Sequence, residues 1–120
     1  LHLSVHSFPT RRSSDLGETL EQRVERFVLK HLNEKISLQD AAEHAGLSYA
    51  YFSSRFKERV GISFSNYVVQ IRMQEARRLL EHADLAVEEV ASRVGYKSPK
   101  HFSRVFHAHS GIRPSELKAR

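Results

Sequence analysis

SLQDAAEHAGLSYAYFSSRFKERVGISFSNYV (residues 37–68) and VASRVGYKSPKHFSRVFHAHSGIRPSEL (residues 90–117) decide the fold, because they carry one pattern twice. Ala42, Gly46, Phe52, Phe56, Gly61 and Ile62 mark it in the first stretch; Ala91, Gly95, Phe102, Phe106, Gly111 and Ile112 mark it in the second. The copies stand 49 residues apart as far as the glycine (46 to 95) and 50 apart from the phenylalanine onward (52 to 102). One extra residue in the second turn accounts for the difference. Ser53 and Ser65 also recur, as Ser103 and Ser115.

The pattern meets the steric needs of a helix-turn-helix. A small residue in the first helix lets the second cross close over it, and Ala42 and Ala91 supply that. A residue that tolerates the sharp turn follows, at Gly46 and Gly95. Apolar anchors then hold the inner face of the second helix, where Phe52 with Phe56, and Phe102 with Phe106, share a face at i, i+4. Helical hairpins with one alanine and one glycine are common. Two in register, separated by one long helix, point to a chain that reads DNA at two places.

The remaining elements follow from periodicity and end signals. Leu20, Val24, Phe27, Val28 and Leu32 recur at helical spacing, which predicts a helix over 18–33. Ser37 caps a short helix over 38–45, with Asp40 in a capping-box position, and Gly46 ends it. Ser48 caps a helix over 49–60. A long helix over 64–82 carries Phe64, Tyr67, Val68, Ile71, Leu79 and Leu80 on one side. The second copy predicts helices over 87–94 and 99–109, the latter opened by Ser98 as N-cap and Pro99 at the first helical position. Pro114 opens a last short helix over 114–119. No segment alternates with period two, so the expected fold is all-α with about seven helices.

Composition narrows the function. In 120 residues there is room for one domain, or for two very small ones sharing a core. The apolar fraction of 40% and charged fraction of 28% are those of a globular protein. No cysteine is present, which excludes disulfides, thiolate metal sites and a cysteine nucleophile. No run approaches the roughly 18 apolar residues of a membrane span, and no cleavable signal is visible.

The net charge of +5 is unevenly placed. Residues 17–96 hold 11 Lys/Arg against 12 Asp/Glu, whereas residues 97–120 hold Lys97, Lys100, Arg104, Arg113, Lys118 and Arg120 against Glu116 alone. Basic charge gathered around the second copy is the footprint of a phosphate-binding surface. A solvated basic tail is the plainer reading of the same charges.

Residues 1–16, LHLSVHSFPTRRSSDL, show no helical or strand period. Within them HSFPTRRSSDL (residues 6–16) resembles the conceptual translation of a sequencing adapter. These residues are therefore expected to be a disordered, non-native leader, leaving 17–120 as the domain. The alternative is a natural flexible arm whose Arg11 and Arg12 touch a minor groove.

The second copy is similar to the C-terminal signature of the AraC/XylS family of bacterial transcription regulators. Gly95-Tyr96, the run Phe102-Ser103-Arg104-Val105-Phe106 and Gly111-Ile112-Arg113-Pro114-Ser115 carry the resemblance. The helix stretch RMQEARRLL (residues 72–80) and the first copy resemble the family too, so it covers about 18–118. It implies a homeodomain-like, AraC-type domain with helix-turn-helix units over about 37–61 and 86–111, joined by a linker helix over 64–82. It implies a cytoplasmic, monomeric domain that sets two recognition helices into successive major grooves of double-stranded DNA. It implies a regulator, usually an activator that contacts RNA polymerase, with any effector acting through an N-terminal domain. The linker fits that picture, since 19 residues span about 28 Å at 1.5 Å each and successive grooves lie roughly 34 Å apart.

The expected reading side chains follow from the helix faces. On the first recognition helix Ala50, Ser53, Ser54 and Lys57 fall away from Phe52 and Phe56, and the resemblance places base or phosphate contacts at the first three. Ala50 offers only a methyl, suited to a thymine methyl, and serines donate or accept without strong preference. This helix is expected mainly to position the protein. On the second, Lys100, His101 and Arg104 lie outward with Ser103 beside them. Arg104 suits guanine O6 and N7, or a phosphate. Lys97 and Lys100 suit phosphates near the helix start.

No metal or cofactor is expected. His107 and His109 are two apart on a helix, facing different ways, and no carboxylate shares their face with His101. His31, His44 and His82 read as helix-surface residues. Some DNA-repair regulators join this kind of domain to a cysteine methyl acceptor, and this chain has no cysteine for that chemistry. No serine–histidine–acid set or phosphate loop is present either, so an enzyme is not expected. The competing reading is a helical protein-interaction module whose basic C-terminal surface meets an acidic partner.

Overall fold

The computed structural model describes residues 18–120; the adapter-like stretch, with Arg11 and Arg12, lies outside the described residues. Seven helices and no strand occur among the described residues. They are α1 (Leu20–Lys30), α2 (Leu38–Ala45), α3 (Tyr49–Val60), α4 (Phe64–His82), α5 (Val87–Arg93), α6 (Pro99–Ser110) and α7 (Pro114–Lys118). None is long and apolar enough to cross a membrane. The chain divides into two compact units. One holds the described residues up to His31 together with Ile36–Ile71; the other holds Leu32–Lys35 and Arg72–Arg120. The division falls inside α4.

In the first unit α1 is shorter than its apolar stripe predicts. Thr19 and Gln22 form a capping box that fixes its start, with the Thr19 N–H donating to Gln22 Oε1 at 3.0 Å and the Gln22 N–H to Thr19 Oγ1 at 3.1 Å. The helix ends where the His31 N–H turns to the Phe27 and Val28 carbonyls. Ser37 and Asp40 form the same kind of box at α2, and the Ser63 hydroxyl accepts from the Asn66 N–H at 3.2 Å where α4 begins.

Val24 and Val28 of α1, Ala41 and Ala42 of α2, and Phe52 and Phe56 of α3 are buried with Phe64, Tyr67 and Ile71 of α4. Ala42 has no exposed surface, as a helix crossed closely by its partner requires. Four rings make one cluster: Phe56 meets Phe64 at 5.5 Å and Tyr67 at 5.1 Å edge-on, and Phe52 lies 5.8 Å from Phe64. Such pairs add about 0.5–1.5 kcal/mol each beyond area burial. Burial, with Glu25 and Glu21 nearby, pushes the Tyr67 phenol well above the usual tyrosine range. Arg59 on α3 pairs with Glu21 on α1. Phe27 is half-buried between His31 and His44, at ring distances of 4.7 and 4.8 Å.

The second unit packs α5, α6 and α7 with the latter part of α4. Val90, Ala91, Val94, Phe102, Phe106 and Leu117 are buried together with Ala76, Leu79 and Leu80. α5 stops at Arg93, one residue before its expected end, because Val94 already leaves the helical range and Gly95 takes φ +94°. The Glu116 carboxylate accepts from the Arg113 N–H at 2.9 Å where α7 starts.

A buried arginine holds this unit's loops. Arg72, only 8% exposed, donates to the Val94 carbonyl at 2.6 Å, to the Glu34 carbonyl at 2.9 Å and also to the Leu32 carbonyl. Burial pulls the guanidinium below its usual range. Three carbonyl acceptors offset that desolvation, since a buried charge is tolerated only when its donors are satisfied.

Candidate nucleic-acid interface

Each unit presents one helix whose inner face is locked and whose outer face is open. In the first, Gly46 ends α2 at φ +75° and the Leu47 N–H returns to the Ala42 carbonyl at 3.0 Å. Ser48 then caps α3 through the Tyr51 N–H at 3.2 Å. Phe52 and Phe56, fully buried, fix the rotation of α3 about its axis. That leaves Ala50, Ser54 and Lys57 exposed, as the face assignment requires. Ser53 is half-buried instead. It follows Phe52 directly, and a 100° step carries it only to the edge of the outer face.

The second unit repeats this geometry. The Tyr96 N–H returns to the Ala91 carbonyl at 2.9 Å. Ser98 caps α6 through the His101 N–H at 3.1 Å, with Pro99 at its first position. Phe102 and Phe106 are buried; Lys97, Lys100, His101 and Arg104 are exposed, and Ser103 is half-buried like its counterpart Ser53. Tyr96 packs its ring 5.5 Å from His101 and 5.6 Å from Phe102. The His101 ring is thus braced at the start of α6. Burial pushes the Tyr96 phenol up, against the opposing pull of Arg72.

The two turns differ in their surroundings. A Cβ at Gly46 would meet nothing within 4 Å. A Cβ at Gly95 would lie 2.5 Å from the Leu32 carbonyl oxygen and fall on the Arg72 guanidinium. Gly95 therefore serves the bend and also the close passage of Arg72.

The cations on the outer faces are not neutralised. Among the described residues Lys57, Lys97, Lys100 and Arg104 have no carboxylate partner. Elsewhere Arg59, Arg77, Arg78 and Arg93 pair with Glu21, Glu81, Glu75 and Glu89. Free cations beside a capped helix start, with polar hydroxyls between them, make a surface suited to phosphate and base edges.

One outward residue escaped the sequence reading. Tyr51 is 53% exposed and its neighbour Tyr49 54%. Aromatic residues beside a phenylalanine pair look like more core. The 50-residue register would have found Tyr51, because it falls on the position that His101 occupies in the second copy. The first reading face therefore carries an aromatic ring beside Ala50, Ser54 and Lys57.

A helix-turn-helix domain model matches residues 41–120. The regulatory protein PocR of Salmonella typhimurium is 34% identical over 110 residues, which are 92% of this chain and 35% of PocR. The transcriptional activator RhaS of Shigella boydii is 27% identical over 113 residues, which are 89% of this chain and 41% of RhaS. The chain spans between 35% and 43% of the length of the curated relatives it matches. Among solved structures, the DNA-binding domain of AdpA, a global transcriptional factor crystallised with a target DNA, superposes with a TM-score of 0.76 at 31% identity. That match covers 86% of this chain and 92% of that one. A DNA-binding transcriptional dual regulator from Escherichia coli K-12 superposes with a TM-score of 0.80 at 25% identity, covering 90% and 96%.

Proposed function

Because the chain belongs to the AraC-type family of helix-turn-helix DNA-binding regulators, we propose that it binds double-stranded DNA sequence-specifically and controls transcription from that site. α3 and α6 act as recognition helices in successive major grooves on one side of the duplex. The observation that carries this reading is the pair of locked helices with open, unneutralised outer faces. Ala50, Ser53, Ser54 and Lys57 meet the DNA from α3. Lys97, Lys100, His101, Ser103 and Arg104 meet it from α6 and its approach.

We infer that it activates transcription through contact with RNA polymerase; relatives named as activators support the activating role. Because the two faces differ in chemistry, the site is asymmetric, about two helical turns long, and bound by one copy of the domain in a fixed direction. In the full protein an effector would act through a further domain.

Titration of a duplex enriched from a random pool tests the reading. If Lys57, Lys97, Lys100 and Arg104 each neutralise one phosphate, the log–log salt slope is about −3.6, and affinity falls by roughly two powers of ten between about 50 and 200 mM salt. Arg104→Ala weakens specific binding more than Ser53→Ala, by a factor that corresponds to about 1–3 kcal/mol if Arg104 reads a guanine. Equal small effects would remove the ranking of the two helices. Absence of duplex affinity at low salt would leave the acidic-protein partner as the reading.

A further inference from the structure

We propose that α3 reads thymine, and that Tyr51 together with Ala50 forms the apolar edge that does so. The inference rests on the DNA-binding reading above and assigns a specificity to the helix that had looked like a mere positioning element.

Of the large rings on α3 and α4, Phe52, Phe56, Phe64 and Tyr67 are buried in the core of the first unit, and Tyr49 and Tyr51 are exposed. Tyr51 contributes nothing comparable, being 53% exposed. It lies on the first turn of α3, and 100° steps place Ala50 and Tyr51 on either side of the line through Ser54. These three positions are the register counterparts of Lys100, His101 and Arg104. At each one the second helix offers a cation or an imidazole. The first offers a methyl, an aromatic ring and a short hydroxyl.

Base-edge chemistry makes that substitution informative. Guanine and cytosine present only hydrogen-bonding groups in the major groove, and an arginine or lysine answers guanine well. The one apolar feature there is the C5-methyl of thymine, which is met by apolar side chains. A Tyr51 ring edge beside the Ala50 methyl is a matching surface, and the Ser54 hydroxyl between them can bond an adjacent acceptor. Lys57, one turn further on and exposed, supplies the phosphate contact that holds the helix in register.

The test uses the 120-residue chain and a site enriched from random duplex. Thymines of one half-site, then the other, are replaced by deoxyuridine, which removes only the methyl group. The expected result is an affinity loss confined to one half-site, about fourfold for each methyl contacted. Tyr51→Ala should abolish that loss while leaving the melting temperature unchanged, and Tyr51→Phe should retain it. If a site is enriched but deoxyuridine in either half leaves affinity unchanged, or Tyr51→Ala keeps the full sensitivity, the inference is overturned and the DNA-binding reading stands. Enrichment of no site overturns both.

Discussion

At Gly95 the backbone turns left-handed beside a guanidinium; at Gly46 it turns left-handed beside open space. The same substitution should therefore cost different amounts at the two positions. Gly46→Ala meets only the left-handed strain, about 1–2 kcal/mol. Gly95→Ala meets that strain and also displaces Arg72 from its carbonyls, and a buried charge stripped of partners costs roughly 3–5 kcal/mol. Chemical denaturation of both variants checks this, and equal losses would show that Arg72 relocates freely. The turn role of Gly95 was legible in the sequence. Its packing role was not, because Arg72 sits in RMQEARRLL looking like an ordinary helix-surface residue, and carbonyl acceptors leave no trace in side-chain identity.

Among the elements, those with local signals came out as the sequence reading expects. Ser37, Ser48 and Ser98 cap α2, α3 and α6 because a serine one residue before an apolar period has a nearby N–H to accept from. α1 departs, since the periodicity of Leu20 through Leu32 continues past the point where the backbone stops being helical. An apolar stripe reports which residues are buried and says little about where hydrogen bonding ends. The aromatic anchors carry the strongest expectation at this scale. Phe106 is 1% exposed and its ring partner is Phe102, at 5.8 Å. Phe106→Ala should cost roughly 3–5 kcal/mol, read as a lowered melting temperature. An unchanged melting temperature would refute its place in the core. Tyr51 shows the opposite limit: residue type alone assigns an aromatic to the core, and only its place on the helix face reveals that it is left outside.

For the whole molecule, the duplication suggests two interchangeable parts with a seam in the linker region. The units do divide inside α4, between Ile71 and Arg72, but that is not the whole of the boundary. The second unit includes Leu32–Lys35, a stretch that runs between α1 and α2 in the chain. Its backbone supplies two of the carbonyls bonded to Arg72, those of Leu32 and Glu34. A piece beginning at Arg72 keeps the second helix-turn-helix intact as a sequence but leaves the guanidinium with the Val94 carbonyl alone among the three. We expect such a 72–120 peptide to melt without cooperativity and to give a collapsed amide spectrum. The same peptide with Arg72→Met should regain part of both, because an apolar side chain asks for no acceptors. A sharp melt of the unaltered peptide would show that water replaces the missing carbonyls. The repeat reads as a self-contained length of chain, yet its second copy borrows: four residues from between α1 and α2 belong to its foundation.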